Sequence, residues 1–203
     1  MSYIAERSEG RAGAPLILTF HGTGGDETQF HGLAGELLPG AHVVSPRGDV
    51  SEMGAARFFR RTGEGVYDMD DLAQRTAAMG DFIAGEIERT GAGRVIGLGY
   101  SNGANILASV ALDRPELVDD LVLMHPLIPW TPAPQPGLKS RRALITAGER
   151  DPIGPAHVTQ ALAEYLAGQG VELAVHWHPG GHEIAQSEVD AILGFLRPLA
   201  EAA

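Results

Sequence analysis

Short, largely apolar runs alternate with longer amphipathic segments along this chain, and that alternation narrows the possible folds more than any other feature. The runs are Leu16–Phe20, His42–Val44, Arg94–Leu98, Leu121–Met124, Ala143–Thr146 and Leu173–His176. A half-exposed strand alternates apolar with polar residues. Runs lacking that alternation read as strands buried on both faces. Between them lie helical patterns. Over 68–90, Leu72, Met79, Ile83 and Ile87 share a face, and Asp68, Asp70 and Asp71 enrich the first turn. Residues 105–113 continue the pattern up to Pro115, and 155–168 form a third helix. Val189, Ile192, Leu196 and Leu199 make the stripe of a C-terminal helix. Strand–helix alternation predicts an α/β protein: a mostly parallel sheet with helices on both faces. At 203 residues the chain reads as a single domain over 1–203, with neither repeat nor linker.

Composition removes several classes of function. There is no cysteine, which excludes disulfides, thiolate zinc sites and a cysteine nucleophile. Acidic residues outnumber basic ones 26 to 15, for a net charge of −11, which argues against nucleic acid or an anionic membrane as partner. The opening MSYIAERSEGR has no apolar signal region, and no stretch has the apolar length to span a bilayer. The expectation is a cytoplasmic protein without membrane insertion.

Chemistry enters at Gly99-Tyr100-Ser101-Asn102-Gly103, directly after Val95–Leu98. GxSxG between a strand and a helix puts its serine on a sharp, strained turn with the hydroxyl thrust outward. Flanking glycines let the turn close. A serine nucleophile needs a base, an orienting acid and an oxyanion hole. In parallel-sheet hydrolases the order is serine, acid, histidine, each just past a strand's C-terminal end. Asp151 follows the run 143–146, and His182 follows 173–176 through Pro179-Gly180-Gly181. The N–H groups of Asn102 and Thr23 are the oxyanion candidates, Thr23 lying in the loop His21-Gly22-Thr23-Gly24-Gly25-Asp26. Each residue also has an ordinary reading: a tight turn at Ser101, a helix cap at Asp151, a surface histidine at His182. Their joint order favours the catalytic one.

Other constellations are weaker. The glycine loop lacks the Gly-Lys-Ser/Thr of a phosphate loop. His176 and His178 share a strand face but have no evident carboxylate to complete a metal site, so no metal is expected. His21 reads as a brace for the oxyanion loop, and Glu149 is the alternative acid. Residues 45–67 read as an ordered functional loop. Residues 126–141, with five prolines, read as a stiff excursion too short for a cap domain. Phe58, Phe59, Leu127, Ile128 and Trp130 are expected to form an apolar pocket wall beside Ser101.

With HGTGGDE at 21–27, GYSNG at 99–103, ERDPI at 149–153 and GGHEI at 180–184, nearly the whole chain resembles the small carboxylesterase, phospholipase and acyl-protein thioesterase group of α/β-hydrolases. PRGDVSEMGAARFFRR at 46–61 and MHPLIP at 124–129 resemble a bacterial branch linked to quinone and hydroquinone resistance. The resemblance implies the α/β-hydrolase fold with little or no lid, a serine esterase without cofactor, frequent homodimers, and Ser101, Asp151 and His182 as nucleophile, acid and base. Asn102 departs from the glutamine usual after the nucleophile in acyl-protein thioesterases. The expected activity is hydrolysis of small or medium acyl esters as small-molecule substrates. A thioesterase or lysophospholipase using the same residues, or a non-catalytic hydrolase-like ligand-binding protein, are the alternatives.

Overall fold

The structure is a computed structural model describing residues 3–201. Each predicted run is a strand. Leu16–Phe20 (β2), His42–Pro46 (β3), Val95–Tyr100 (β8), Asp120–Met124 (β9), Arg142–Gly148 (β10) and Glu172–His178 (β11) lie parallel in the order β3-β2-β8-β9-β10-β11. The sequence gives no clear sign of Ala5–Ser8 (β1), which is largely exposed and pairs antiparallel on the outside of β3. An edge strand with one solvated side has no need of an apolar run.

Helices cover both faces. His31–Leu37 (α1) and Gln186–Glu201 (α5) pack on one; Met69–Thr90 (α2), Asn102–Asp113 (α3) and Ala156–Gly168 (α4) on the other. Strand geometry sorts the residues between two cores. Leu16, Leu18 and Phe20 of β2 face the α2–α4 side while Ile17 faces α1 and α5. Leu121 and Leu123 oppose Val122 and Met124 in the same way on β9. Two apolar cores need strands apolar on both sides, which explains the unalternating runs.

The segment 45–67 is folded as two small antiparallel hairpins. Val50–Glu52 (β4) pairs with Ala55–Arg57 (β5), and Arg61–Gly63 (β6) with Val66–Tyr67 (β7). Asp71 at the start of α2 accepts from Arg60 N at 2.7 Å and binds Arg75, tying the second hairpin down. At the opposite end of the sheet, fully buried Asp120 receives Arg94 (2.7 and 3.0 Å) and Arg142 (2.7 Å), which clamps the starts of three strands.

The strand order reverses at β2. Its neighbours β3 and β8 follow it in sequence on opposite sides, so the crossovers diverge and leave a crevice at the carboxyl ends of β2 and β8. The loop holding Thr23 leaves β2 there, and the turn holding Ser101 leaves β8.

Candidate active site

Ser101 has φ 52° and ψ −117°, a left-handed conformation that a non-glycine residue keeps only when its surroundings enforce it. Enforcement comes from both directions. Ser101 N donates to Met124 O at 2.9 Å, and its carbonyl accepts the first helical bond from Asn105 N at 3.0 Å. Gly103 is required for close approach, because a Cβ there would collide with the Phe20 carbonyl. Serine is thereby raised between the sheet and the N-terminus of α3.

His182 Nε2 lies 2.9 Å from Ser101 Oγ, and His182 Nδ1 lies 2.7 Å from Asp151 Oδ2. Asp151 is buried, and its other oxygen accepts from Ile153 N and Gly154 N at 2.8 and 2.9 Å. Burial pushes this carboxyl upward, but the donors from Gly154, His182, His125 and Ile153 outweigh it and hold the group below the ordinary carboxylate range. An ionised carboxylate only accepts, so His182 Nδ1 donates and Nε2 is left to accept the serine proton. The acid and base loops are joined through Arg150 N to Gly180 O at 2.9 Å, and Tyr100 Oη donates to His182 O at 2.6 Å. Glu149, the other candidate acid, is exposed and shares no hydrogen bond or ion pair with His182, whose ring nitrogens meet Asp151 and Ser101.

Thr23 and Asn102 both line the cavity above Ser101. Thr23 N–H takes no acceptor among the described residues, and Asn102 N–H opens α3, where helical N–H groups lack intrahelical partners. His21 braces this loop: its Nδ1 lies 2.7 Å from Gly22 O, and its Nε2 accepts from Gly48 N at 2.9 Å. Asn102 Oδ1 accepts from Phe58 N at 2.7 Å, which fixes the first hairpin against the serine turn.

Sequence reasoning missed a second layer. His125, at φ 50° just past β9, points its Nδ1 at Asp151 Oδ2 (2.9 Å) and its Nε2 at Glu188 Oε1 (3.0 Å). The Glu188 contact is off the line of a hydrogen bond, so its attraction is chiefly Coulombic. All three side chains are 0% exposed, which makes the charge state decisive. Burial lowers the His125 pKa, but the two carboxylates outweigh it and raise the group above an ordinary histidine. Glu188 is held low: burial raises it, and His125 with the Ala185 N–H (2.6 Å) overrides that. The only sequence signal was a histidine just past a strand end, directly before the proline-rich segment 126–141. Among the described residues, two groups bring ligand atoms within 4.8 Å of one another: His125, Asp151, His182; and His125, His178, Glu188. His176 belongs to neither group and lies 3.0 Å from Ser187 Oγ.

The expected apolar wall is mostly elsewhere. Phe58 and Phe59 are 1% and 0% exposed and belong to the core, Phe58 against Phe20 and His21 and Phe59 against Tyr67. Ile128 is likewise core. Trp130 sits in a separate groove beside α2 and reaches the site only through an edge contact with Tyr67. Hairpin packing turned these aromatics inward. Leu127 alone of the five lines the cavity, with Ile153 as its apolar neighbour. The cavity of about 210 Å³ instead mixes apolar surface with charged and polar side chains, Arg57, Arg61, Glu64, Tyr67 and Asn105 among them. Tyr67 Oη donates to Leu127 O at 2.8 Å and accepts from Asn105 Nδ2 at 2.9 Å, and Asn105 Oδ1 accepts from Leu127 N at 2.7 Å. That closed ring joins three cavity walls.

Comparison with known proteins agrees with this fold. A family model described as alpha/beta hydrolase fold matches residues 15–190. "Putative hydrolase MhqD" of Bacillus subtilis (strain 168) is 38% identical over 177 residues, covering 86% of this chain and 88% of its own. A protein of unknown function from Agrobacterium tumefaciens str. C58 has a crystal structure 57% identical in sequence, with TM-score 0.92 and 97% of each chain covered. A carboxylesterase from Bacillus cereus is 32% identical, with TM-score 0.90, covering 97% of this chain and 94% of its own.

Proposed function

We propose that this chain, which belongs to the α/β-hydrolase fold family, cleaves carboxylic esters of small or medium acyl chains through an acyl-serine intermediate. The observation that carries the proposal is the hydrogen-bonded line from Ser101 Oγ through His182 to buried Asp151, mounted on a strained serine turn. The likeness to the Bacillus cereus carboxylesterase supports the choice of esters.

In this reading Ser101 Oγ attacks the ester carbonyl as His182 Nε2 takes its proton. The Thr23 and Asn102 N–H groups hold the developing oxyanion. The tetrahedral species collapses, the C–O bond breaks, and the alcohol leaves with the proton from His182. Water then attacks the acyl-serine, giving its proton to His182, and the acid departs as Ser101 regains a proton. Asp151 keeps the imidazole in the right tautomer and stabilises its charged form.

The walls argue against a mobile lid. Leu127 is bonded to Asn105 and Tyr67, Tyr165 Oη donates to Ala133 O at 2.7 Å, and Gln135 N donates to Gln169 Oε1 at 2.7 Å. The proline-rich segment is thus pinned along its length, and no interfacial activation is expected. Among the described residues no helix is long and apolar enough to cross a membrane.

A fluorophosphonate probe tests the proposal. Labelling is expected on the peptide containing Ser101 and absent from Ser101→Ala. A folded protein that neither labels nor hydrolyses any p-nitrophenyl ester from acetate to octanoate would refute it. A palmitoyl thioester run alongside is expected to react more slowly than the short esters, given the small cavity.

A further inference from the structure

We infer that the substrate carries a carboxylate a few atoms from its ester carbonyl, and that the guanidinium groups of Arg57 and Arg61 receive it. The inference rests on the ester-hydrolase reading and names the substrate class within it. Arg57 and Arg61 line the same cavity as Ser101. Arg57 is only 3% exposed, an expensive place for a cation. Its Nη1 donates to Thr23 Oγ1 at 2.7 Å, its Nε to Phe59 O at 3.3 Å, and Glu52 Oε2 stands 3.3 Å from Nε. Arg57 Nη2 takes no protein acceptor among the described residues.

Glu52 does not neutralise Arg57 by itself, because Arg61 Nε also donates to both its oxygens at 3.1 Å. One carboxylate is shared between two guanidiniums. The second counter-charge is Glu64, whose Oε2 accepts from Arg61 Nη1 at 2.6 Å. Glu64 is 54% exposed and lies on the turn between β6 and β7, so it can swing into water. A substrate carboxylate can take its place on Arg61 and meet the unspent N–H groups of Arg57. Arginine forks bind carboxylates in this way, with short charge-assisted bonds. Burial holds the Arg57 pKa below that of a free guanidinium, and a nearby anion relieves that cost. An entirely apolar acyl chain would offer no acceptor to Arg57 Nη2, which has none among the described residues.

The test compares two acidic esters with uncharged counterparts: monoethyl succinate with ethyl pentanoate, and 3-acetoxypropanoate with butyl acetate. The first pair places the carboxylate on the acyl side, the second on the alcohol side. Hydrolysis of monoethyl succinate consumes one water and yields succinate and ethanol. At low salt, at least one acidic ester is expected to have the higher kcat/KM of its pair. Arg61→Gln is expected to reduce that acidic-to-neutral ratio roughly 10- to 100-fold, the range for losing a charge-assisted hydrogen bond. Glu64→Gln is expected to raise the ratio, because a competing carboxylate is gone. The second variant lies on an exposed turn and keeps the proposal testable if the first folds poorly. If both neutral esters outrun their acidic partners, or if neither variant moves the ratio, the inference is overturned while the esterase reading stands. If no ester is hydrolysed and Ser101 does not label, both fall together.

Discussion

Replacing Glu188 by glutamine removes one negative charge from the buried layer behind the acid and changes almost nothing in shape. In the parent, the Glu188 carboxylate accepts from Ala185 N at 2.6 Å and sits 3.0 Å from His125 Nε2. Glutamine can keep the first bond through its amide oxygen. What is lost is the charge facing an imidazolium that still has Asp151 on its other side. The expected cost is therefore that of one of the two counter-charges on a buried cation, about 1.5–3 kcal/mol, and not the ~3–5 kcal/mol of a buried ion left without any partner. For a domain of this size each kcal/mol moves Tm by about 2–4 °C, so Glu188→Gln should lower it by roughly 3–12 °C near neutral pH. The pH dependence sharpens the test. Glu188 has a depressed folded pKa, so its contribution is complete above the unfolded value, ~4.3, and disappears as pH falls through the folded one. His125 has a raised folded pKa, so its contribution is complete below its unfolded value and fades as pH rises through the folded one. Parent and variant melting curves, followed by circular dichroism from pH 4 to 9, should differ most in the mildly acidic to neutral range. They should converge in acid, where the parent's own Glu188 takes a proton. A variant within 1 °C of the parent at pH 6–7, or a gap that widens toward acid, would show that His125 is neutral and the layer is not a charge pair.

Ser101→Ala and His182→Ala should each cost on the order of 10⁶ in kcat with Tm retained, and Asp151→Asn on the order of 10⁴; a Glu149→Gln loss exceeding that of Asp151→Asn would reverse the assignment of the acid. Esterase activity should fall in acid, since an imidazolium cannot accept a proton from a serine, and a pH–rate profile of kcat/KM flat down to pH 4 would contradict a histidine base. Gly148→Ala places a methyl group on the Gly181 carbonyl, so the base loop must move: kcat/KM should drop and stability should fall by ~1–3 kcal/mol, both absent if the loop is slack. Asp120→Ala should strip Arg94 and Arg142 of their shared partner and cost ~1–3 kcal/mol in chemical denaturation, less than a buried pair would because both guanidiniums reach solvent, with kcat per folded molecule unchanged because the clamp lies at the far end of the sheet.

The sequence by itself determined whatever contiguous residues encode. Runs apolar on both faces, such as Leu16–Phe20 and Leu121–Met124, can only be central strands, and their alternation with helices leaves a parallel α/β sheet as the way to bury them. The serine turn was legible because Gly99 and Gly103 answer a local steric demand, and the chain order of Ser101, Asp151 and His182 follows from which strand ends lie at the crevice. Tertiary structure alone decided which side chains surround the serine. Phe58 and Phe59 stand beside arginines in a segment that could turn either way, and the hairpin fold sent the aromatics into the core and left Arg57 and Arg61 on the cavity. His125 and Glu188 meet only because β9 lies beside β10 and α5 packs back across them; neither is marked by spacing or composition. Strand and helix identity is written in periodicity along the chain, whereas pocket chemistry depends on which faces of distant segments the packing turns toward one another.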